Sequence, residues 1–249
     1  MSGWPDGVGR LILEETDSTN AEAMRRAEAA SRAPIWIMAR RQTAGRGRRG
    51  RAWASPAGNL AATLLTPHDG PARAAAALFA PVAGLAAADL CAAFLPAGRV
   101  ALKWPNDVLA GGAKVAGILI ESAGGTGGRA LRVAVGVGVN LAHAPPPDES
   151  RHPATSVAAE TGTAPDPEAA LARLASRFAH WHALGRRDHG ALIDAWRGRM
   201  AGIGRPIEAR LGARTVSGRF EAVDAEGRLV LRTPAGLERI AAGDVFFAE

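Results

Sequence analysis

The chain has 249 residues, 47% of them hydrophobic, which suits one large domain or a large domain with a small companion and argues against disorder. Its formal charge of +6 points to anionic partners: nucleotides, nucleic acid or acidic proteins. The single cysteine, Cys91, excludes an intrachain disulfide framework and a cysteine-rich metal site, and its type suits a small buried apolar residue.

The first residues, M-S-G-W-P-D-G, lack the basic stretch and apolar run of a secretory signal, so a cytoplasmic location is expected. Residues 10–15 read as a short strand. Thr19 and Glu22 then stand at capping-box spacing, which predicts a helix beginning near Ser18 to Asn20. P-I-W-I-M-A-R (34–40) and N-L-A-A-T-L-L-T (59–66) are apolar strands, followed by an Ala-rich helix or helix pair over about 71–95. Pro81, Gly84 and Asp89 interrupt that apolar run, so it fits a buried helix better than a membrane span.

R-V-A-L-K-W-P-N-D-V-L (99–109) predicts a strand ending in a turn, because Pro105 has no N–H for a central ladder. Gly111 and Gly112 fit a hairpin, with K-V-A-G-I-L-I-E (114–121) as its return strand. After a Gly-rich turn, L-R-V-A-V-G-V-G-V-N alternates strictly, with Val133, Val135, Val137 and Val139 on one face. Ala134, Gly136 and Gly138 occupy the other. A face almost without side chains suits a close neighbour or a ligand, and plain packing explains it equally well.

Residues 143–167 are Pro-rich and read as irregular, and helical patterns follow over about 167–185 and 189–200. From Arg205 onward, short strands alternate with turn residues, which predicts a small β-barrel-like unit packed on the larger domain. His180 and His182 stand two apart in a helical region and face different ways, so they make a poor metal pair and read as surface residues.

The stretch R-R-Q-T-A-G-R-G-R-R-G-R (40–51) holds six arginines, three glycines and no acid. Within it G-R-G-R-R-G matches the dinucleotide fingerprint, which also needs a helix starting inside the motif. Pro56 and Gly58 speak against that helix, and no Walker-type G-x-x-x-x-G-K-[ST] occurs anywhere. An arginine-glycine nucleic-acid arm is a second reading, with Trp53 able to stack on a base, but such arms are seldom set between two apolar strands. Guanidinium groups around a bound small anion, on a backbone that glycine lets approach closely, account for both residue types. K-W-P-N-D (103–107) adds a lysine, an amide and a carboxylate at a strand-to-turn junction; Lys114 opens the next strand and Asn140 ends the alternating one.

Five motifs in this order carry a family resemblance: S-T-N (18–20), Q-T-A-G-R-G-R-R-G-R-A-W (42–53), K-W-P-N-D (103–107), K-V-A-G-I-L-I-E (114–121) and G-V-G-V-N (136–140). Over about residues 10–249 the chain resembles the biotin–protein ligases. The resemblance implies an α+β fold, with a mixed-sheet catalytic domain over 1–200 and a small SH3-like β-barrel over 201–249. It implies ATP as co-substrate with Mg²⁺, biotin as substrate, and a lysine of a biotin carboxyl carrier protein as acceptor. By the same resemblance Ser18, Thr19, Asn20, Gln42, Gly45, Arg46, Gly47, Arg48 and Lys114 bind biotin. Arg46, Trp53, Lys103, Asn106, Asp107, Lys114 and Asn140 hold the nucleotide, and Arg48 and Lys114 are the catalytic cations. Asp107 is either on the nucleobase side or a ligand to Mg²⁺.

Some relatives carry an N-terminal helix-turn-helix domain. Only about nine residues precede the first strand here, so a ligase without sequence-specific DNA binding is expected, with no membrane partner. Two other readings stay open: a lipoyl or octanoyl transferase of the same fold, and a basic nucleic-acid-binding module.

Overall fold

The computed structural model describes residues 3–27, 33–124, 131–146, 153–212 and 214–247. The Gly-rich turn expected before the alternating strand lies outside them, apart from Gly124, as does the middle of the Pro-rich segment.

A seven-stranded mixed sheet forms the larger part. Its strands are β1 (Gly9–Thr16), β2 (Ile35–Gln42), β3 (Leu60–His68), β4 (Val100–Lys103), β5 (Asp107–Ala110), β6 (Ala113–Ala123) and β7 (Leu131–Val139). The spatial order is β1-β2-β3-β7-β6-β5-β4; β1 and β2 are parallel and the remaining pairs antiparallel. The strand expected to end in a turn is β4, and Pro105 sits in that turn; Asp107 to Leu109 then belong to a second strand, so the segment 99–109 is a hairpin.

Helix α1 (Thr19–Ala27) covers one face of this sheet, with Ala23, Ile37, Leu65 and Ala134 buried together beneath it. Helices α2 (Ala72–Ala92), α4 (Pro167–Arg187) and α5 (His189–Arg197) belong to the other side, where α2 and α4 pack on the sheet. Val133, Val135, Val137 and Val139 point into that larger core. The alternation of β7 therefore separates a core face from a face with almost no side chains.

One helix start falls where it is expected and another helix is additional. Helix α1 begins at Thr19, inside the expected range of Ser18 to Asn20, and Ser18 caps it, its Oγ accepting from the Ala21 N–H at 3.4 Å. Thr19 is thereby released for tertiary contacts, and Glu22 pairs with Arg25 and Arg26. Inside the segment read as irregular, a short helix α3 (Val157–Thr161) is capped by Ser156, which accepts from Ala159 N–H at 3.1 Å.

Helix α2 is long and apolar enough to cross a membrane by length and composition, yet twelve of its residues are buried in the fold. Asp89, within it, accepts from Arg177 Nε at 2.6 Å and Trp181 Nε1 at 2.8 Å and pairs with Arg199. Burial raises the pKa of this carboxyl, but the three donors outweigh that and hold it below the usual carboxylate range. His182 also departs from the surface reading. It stacks on Phe79 at 5.5 Å, and burial lowers its pKa.

The C-terminal part is a five-stranded antiparallel sheet of β8 (Pro206–Arg210), β9 (Thr215–Val223), β10 (Leu229–Thr233), β11 (Gly236–Ile240) and β12 (Asp244–Phe247), ordered β11-β10-β9-β8-β12. Its apolar residues Ile207, Phe220 and Leu231 join the same core as Val82, Trp104 and Trp196. Trp104 Nε1 donates to Gly227 O at 2.9 Å across the junction. The small sheet is fastened to the large one, as its size requires.

Candidate active site

The strand register builds the floor of a cavity. Ala39, Ala61, Gly138, Gly117, Asp107 and Lys103 are successive partners across six strands, on the face that α1 only partly covers. Two glycines and two alanines in one row leave room over the sheet centre, and the charged pair closes the row at the β5–β4 end. A Cβ on Gly138 would stand 2.5 Å from the Trp53 indole, and one on Gly136 would fall inside the Asn20 side chain. The bare face of β7 is filled by these two side chains.

At the end beneath α1 the site is neutral and hydrogen-bonded. Gln42 Oε1 accepts from Thr19 N at 2.8 Å, which directs the amide group of Gln42 into the cavity wall. Thr63 Oγ1 donates to Asn20 Oδ1 at 2.7 Å and lies 2.8 Å from Thr19 Oγ1. Asn20 Nδ2 donates to Glu121 Oε2 at 2.8 Å and to Leu119 O at 3.3 Å. These partners fix the amide orientations: the oxygens of Gln42 and Asn20 each have a donor, and the Asn20 nitrogen has two acceptors.

At the other end the site is charged. Lys114 reaches the floor through a β-bulge. Val108 pairs with Ala116 but Leu109 with Lys114, so Val115 is an extra residue on β6. In a regular strand Lys114 and Gly117 would face opposite ways; the bulge puts Lys114 on the cavity side while Val115, Ala116 and Ile118 stay in the core. Lys114 Nζ stands 5.3 Å from the Trp53 ring centre and 2.6 Å from Asp107 Oδ1. The latter is a charge contact whose angle falls short of a hydrogen bond. Lys103 is 5% exposed beside Phe246 and Phe247, and burial lowers its pKa to about 8.

The arginine-glycine stretch folds back on itself over this end. Arg46 bridges Ala52, Gly47 N–H donates to Arg51 O at 2.7 Å, and Trp53 N–H donates to Gly45 O at 2.9 Å. Its tip is a single 3-10 turn, Arg48–Gly50, and no α-helix starts there. Arg48 Nη1 donates to Asn106 Oδ1 at 3.1 Å and to Gly243 O at 3.2 Å. Burial lowers the Arg48 pKa, a shift opposed chiefly by Asp244. Arg49 and Arg51 both pair with Asp244. Burial raises the pKa of that carboxyl, but the Arg51 hydrogen bond and the neighbouring guanidinium charges prevail and hold it below the usual range. Around the cavity five cationic side chains, Arg46, Arg48, Arg51, Lys103 and Lys114, face two carboxylates, Asp107 and Asp244.

A cavity with a neutral amide-and-hydroxyl end and a cationic end suits a ligand polar at one end and anionic at the other. Residues 8–140 match the Biotin/lipoate A/B protein ligase family, and residues 202–248 the Biotin protein ligase C terminal domain. The chain belongs to the biotin protein ligase family. It is 51% identical over 241 residues to the biotin–[acetyl-CoA-carboxylase] ligase of Paracoccus denitrificans, covering 95% of this chain and 99% of that one. It is 37% identical to the enzyme of the same name from Mycobacterium tuberculosis, over 94% of this chain and 87% of the other. Its fold superposes on the biotin protein ligase of Aquifex aeolicus, solved in complex with biotin and ATP, with a TM-score of 0.80 at 25% identity. That match covers 96% of this chain and 99% of the other.

Within this family member, Ser18, Thr19, Asn20, Gln42, Arg46, Gly47, Arg48, Trp53, Lys103, Asn106, Asp107 and Lys114 all line this cavity. Gly45 stands behind it, where a Cβ would meet the Trp53 carbonyl and the Gln42 amide. Asn140 is not brought to the cavity. It is buried, its side chain donates to Thr155 O at 3.0 Å, and its backbone ties β7 to Val115 and Val157. Four polar side chains escaped the sequence reading: Arg51 and Asp244, which line the cavity, and Thr63 and Glu121, which hold Asn20. Thr63 lies at the right strand parity to be suspected. For Asp244 nothing local signals a partner almost two hundred residues away.

The described residues contain no cluster of three His, Cys, Asp or Glu side chains suited to a resident metal. Asp107 and Asp244 are single carboxylates, already engaged with cations. That donor set fits an ion carried mainly by nucleotide phosphates, as Mg²⁺ usually is.

Proposed function

We propose that this cavity carries out ATP-dependent biotin activation and transfer. The observation that carries the reading is the polarity of the cavity, with Lys114 on its floor at the cationic end, next to Trp53. Gln42, Thr19, Ser18 and Asn20 are assigned to the ureido head of biotin. A neutral polar head needs matched donors and acceptors, because a buried group left unpaired costs about 1–3 kcal/mol. The biotin carboxylate then extends toward Lys114 and Arg48.

In the first step a carboxylate oxygen of biotin forms a bond to the α-phosphorus of ATP. The bond to the pyrophosphate oxygen breaks, leaving biotinyl-5′-AMP. Two anions meet here, and charge builds on the phosphoryl oxygens, so cations fixed before the reaction are what the chemistry needs. Arg48 and Lys114 are assigned that role, with Arg46 and Lys103 on the phosphates and Trp53 and Asn106 on the nucleotide. Mg²⁺ supplies charge neutralisation on the phosphates, and Asp107 is the carboxylate that would meet it.

In the second step the amine of a carrier lysine attacks the acyl carbon and AMP leaves. A free lysine has a pKa of about 10.4 and is seldom neutral at pH 7. A cluster of fixed cations disfavours its ammonium form and raises the reactive fraction. We assign the acceptor lysine to a biotin carboxyl carrier protein, a reading supported by the name of the Paracoccus relative, which gives acetyl-CoA carboxylase, and we place the reaction in the cytoplasm, where ATP and carrier meet.

The test combines biotin, ATP, Mg²⁺ and a biotin carboxyl carrier fragment, read by streptavidin blot, with lipoate and octanoate as competitors. Labelling that needs ATP and is lost in Lys114→Ala and Arg48→Ala is the expected result. Full activity in both variants would sink the assignment. Preferential transfer of lipoate or octanoate would move the protein to the other branch of its family. Among the arginines of the loop, Arg48, Arg49 and Arg51 are engaged with protein acceptors, which favours the ligase over a solvated nucleic-acid arm.

A further inference from the structure

The C-terminal sheet contributes to the cavity wall through Asp244 and Val245, at the start of β12. Three consecutive contacts run from the arginine-glycine loop to this point. Arg48 donates to Gly243 O through both Nη atoms at 3.2 Å, Arg49 Nη1 meets Asp244 Oδ2 at 3.2 Å, and Arg51 Nη2 pairs with the same oxygen. The Asp244 side chain is only 11% exposed, whereas those of Arg49 and Arg51 are 41% and 39% exposed. The carboxylate is the fixed member, set by β12 pairing with β8, and the arginines come to it.

Arg49 adds a second observation. Its φ of 58° is the only positive value among the described non-glycine residues. A left-handed arginine persists where surrounding contacts over-determine it. Here those contacts are the ion pair to Asp244 and the hairpin closed by Gly47 and Arg51.

From this we infer that Asp244 is a positioning residue for ATP: it anchors the tip of the arginine-glycine loop to the C-terminal sheet and thereby fixes Arg48 over the phosphate end of the cavity. The inference rests on the ligase reading above and adds a role for the second sheet. Arg48 is a neighbour of both anchors. With Arg49 and Arg51 held, its guanidinium is confined between Asn106 and Gly243, and the entropy of ordering it is lost before nucleotide arrives. Asp244 itself is saturated by two guanidinium groups, so its charge is neutralised beside the phosphates.

The contacts predict an effect confined to one end of the cavity. Asp244→Ala releases the loop tip, and KM for ATP should rise about tenfold, the scale of one charge-assisted anchor, while KM for biotin moves less than about threefold because Gln42 and Thr19 are untouched. Asp244→Asn keeps the volume and loses the charge, so it should follow Asp244→Ala, and Asp244→Glu should recover part of the affinity. Trypsin cleavage within residues 46–51, measured with and without biotin plus ATP, should accelerate in Asp244→Ala. Adding Arg49→Ala to Asp244→Ala should cost little more, since both break the same anchor and Arg49 does not line the cavity.

Wild-type activity in the same assay separates this inference from the ligase reading. No ATP-dependent biotin transfer by the wild-type chain defeats the reading. An active wild type with unchanged or lowered KM for ATP in Asp244→Ala defeats the anchor alone. So does Asp244→Asn behaving as wild type, because packing and not charge would then be at work.

Discussion

The two ends of the cavity stand on one sheet yet hold their side chains by different means. Beneath α1, Thr19, Asn20 and Thr63 are buried and Gln42 half-buried, and short hydrogen bonds among these neutral groups and to Glu121 and Leu119 O set their positions. At the β4–β5 end, Lys103, Lys114, Arg48 and Arg51 are cations held by a bulge, by burial and by carboxylates from two different sheets. A neutral network discriminates by leaving a wrong ligand's groups unpaired, and its reach is one hydrogen bond. A cationic cluster acts over longer distances and stabilises charge that develops during a reaction. Recognition and chemistry are thereby assigned to opposite ends, which makes the division testable.

The sharpest test is Lys114→Ala. Formation of biotinyl-AMP, followed by pyrophosphate release, should fall by about 10²–10³-fold in kcat, with biotin affinity less affected; an unchanged kcat would remove Lys114 from the chemistry. Gly138→Val attacks the floor common to both ends. A valine there displaces Trp53 and should cost about 1–3 kcal/mol in urea unfolding while raising KM for both substrates. If only one KM moves, the floor is not shared. Thr63→Val removes a hydroxyl and keeps the volume, leaving Asn20 Oδ1 unpaired. It should raise KM for biotin about tenfold and leave KM for ATP unchanged, and equal effects on both would erase the division.

The smallest effect is a pH dependence at the cationic end. Lys103 has its pKa lowered by burial to about 8, so its charge is present at pH 7 and lost as the pH rises through 8. KM for ATP should therefore rise a few-fold between pH 7 and 9, while KM for biotin stays level. The sign for folding is opposite. The buried charge costs stability below pH 8, and that cost is relieved between about 8 and 10.5, where the unfolded chain still holds the proton. Lys103→Arg, charged throughout, should flatten the ATP profile, and a wild-type profile already flat would place Lys103 away from the phosphates.

Much of the neutral end was legible in the sequence. The alternation of β7 announced a bare face, and S-T-N with Q-T-A-G named most of what surrounds it. The start of α1 was legible too, although spacing alone does not choose between adjacent hydroxyls for the cap. Local patterns fail elsewhere for physical reasons. Asn140 reads as a polar group at a strand end, where sites gather, yet a loop fifteen residues further on takes its amide. Nothing in the sequence near Arg49 and Arg51 signals what they pair with, because their partner is encoded near the other end of the chain.

By itself the sequence determined which faces are apolar, where glycine must stand, the order of the family motifs and the presence of a second small β unit. These follow from side-chain periodicity and backbone freedom, which act over a few residues. Only the tertiary structure decided that Lys114 turns onto the face of Gly117, that Asn20 and Trp53 fill the space over β7, and that Asp244 receives the loop. Each of those depends on register between strands or on contact between sheets, and such distances do not exist until the chain has folded.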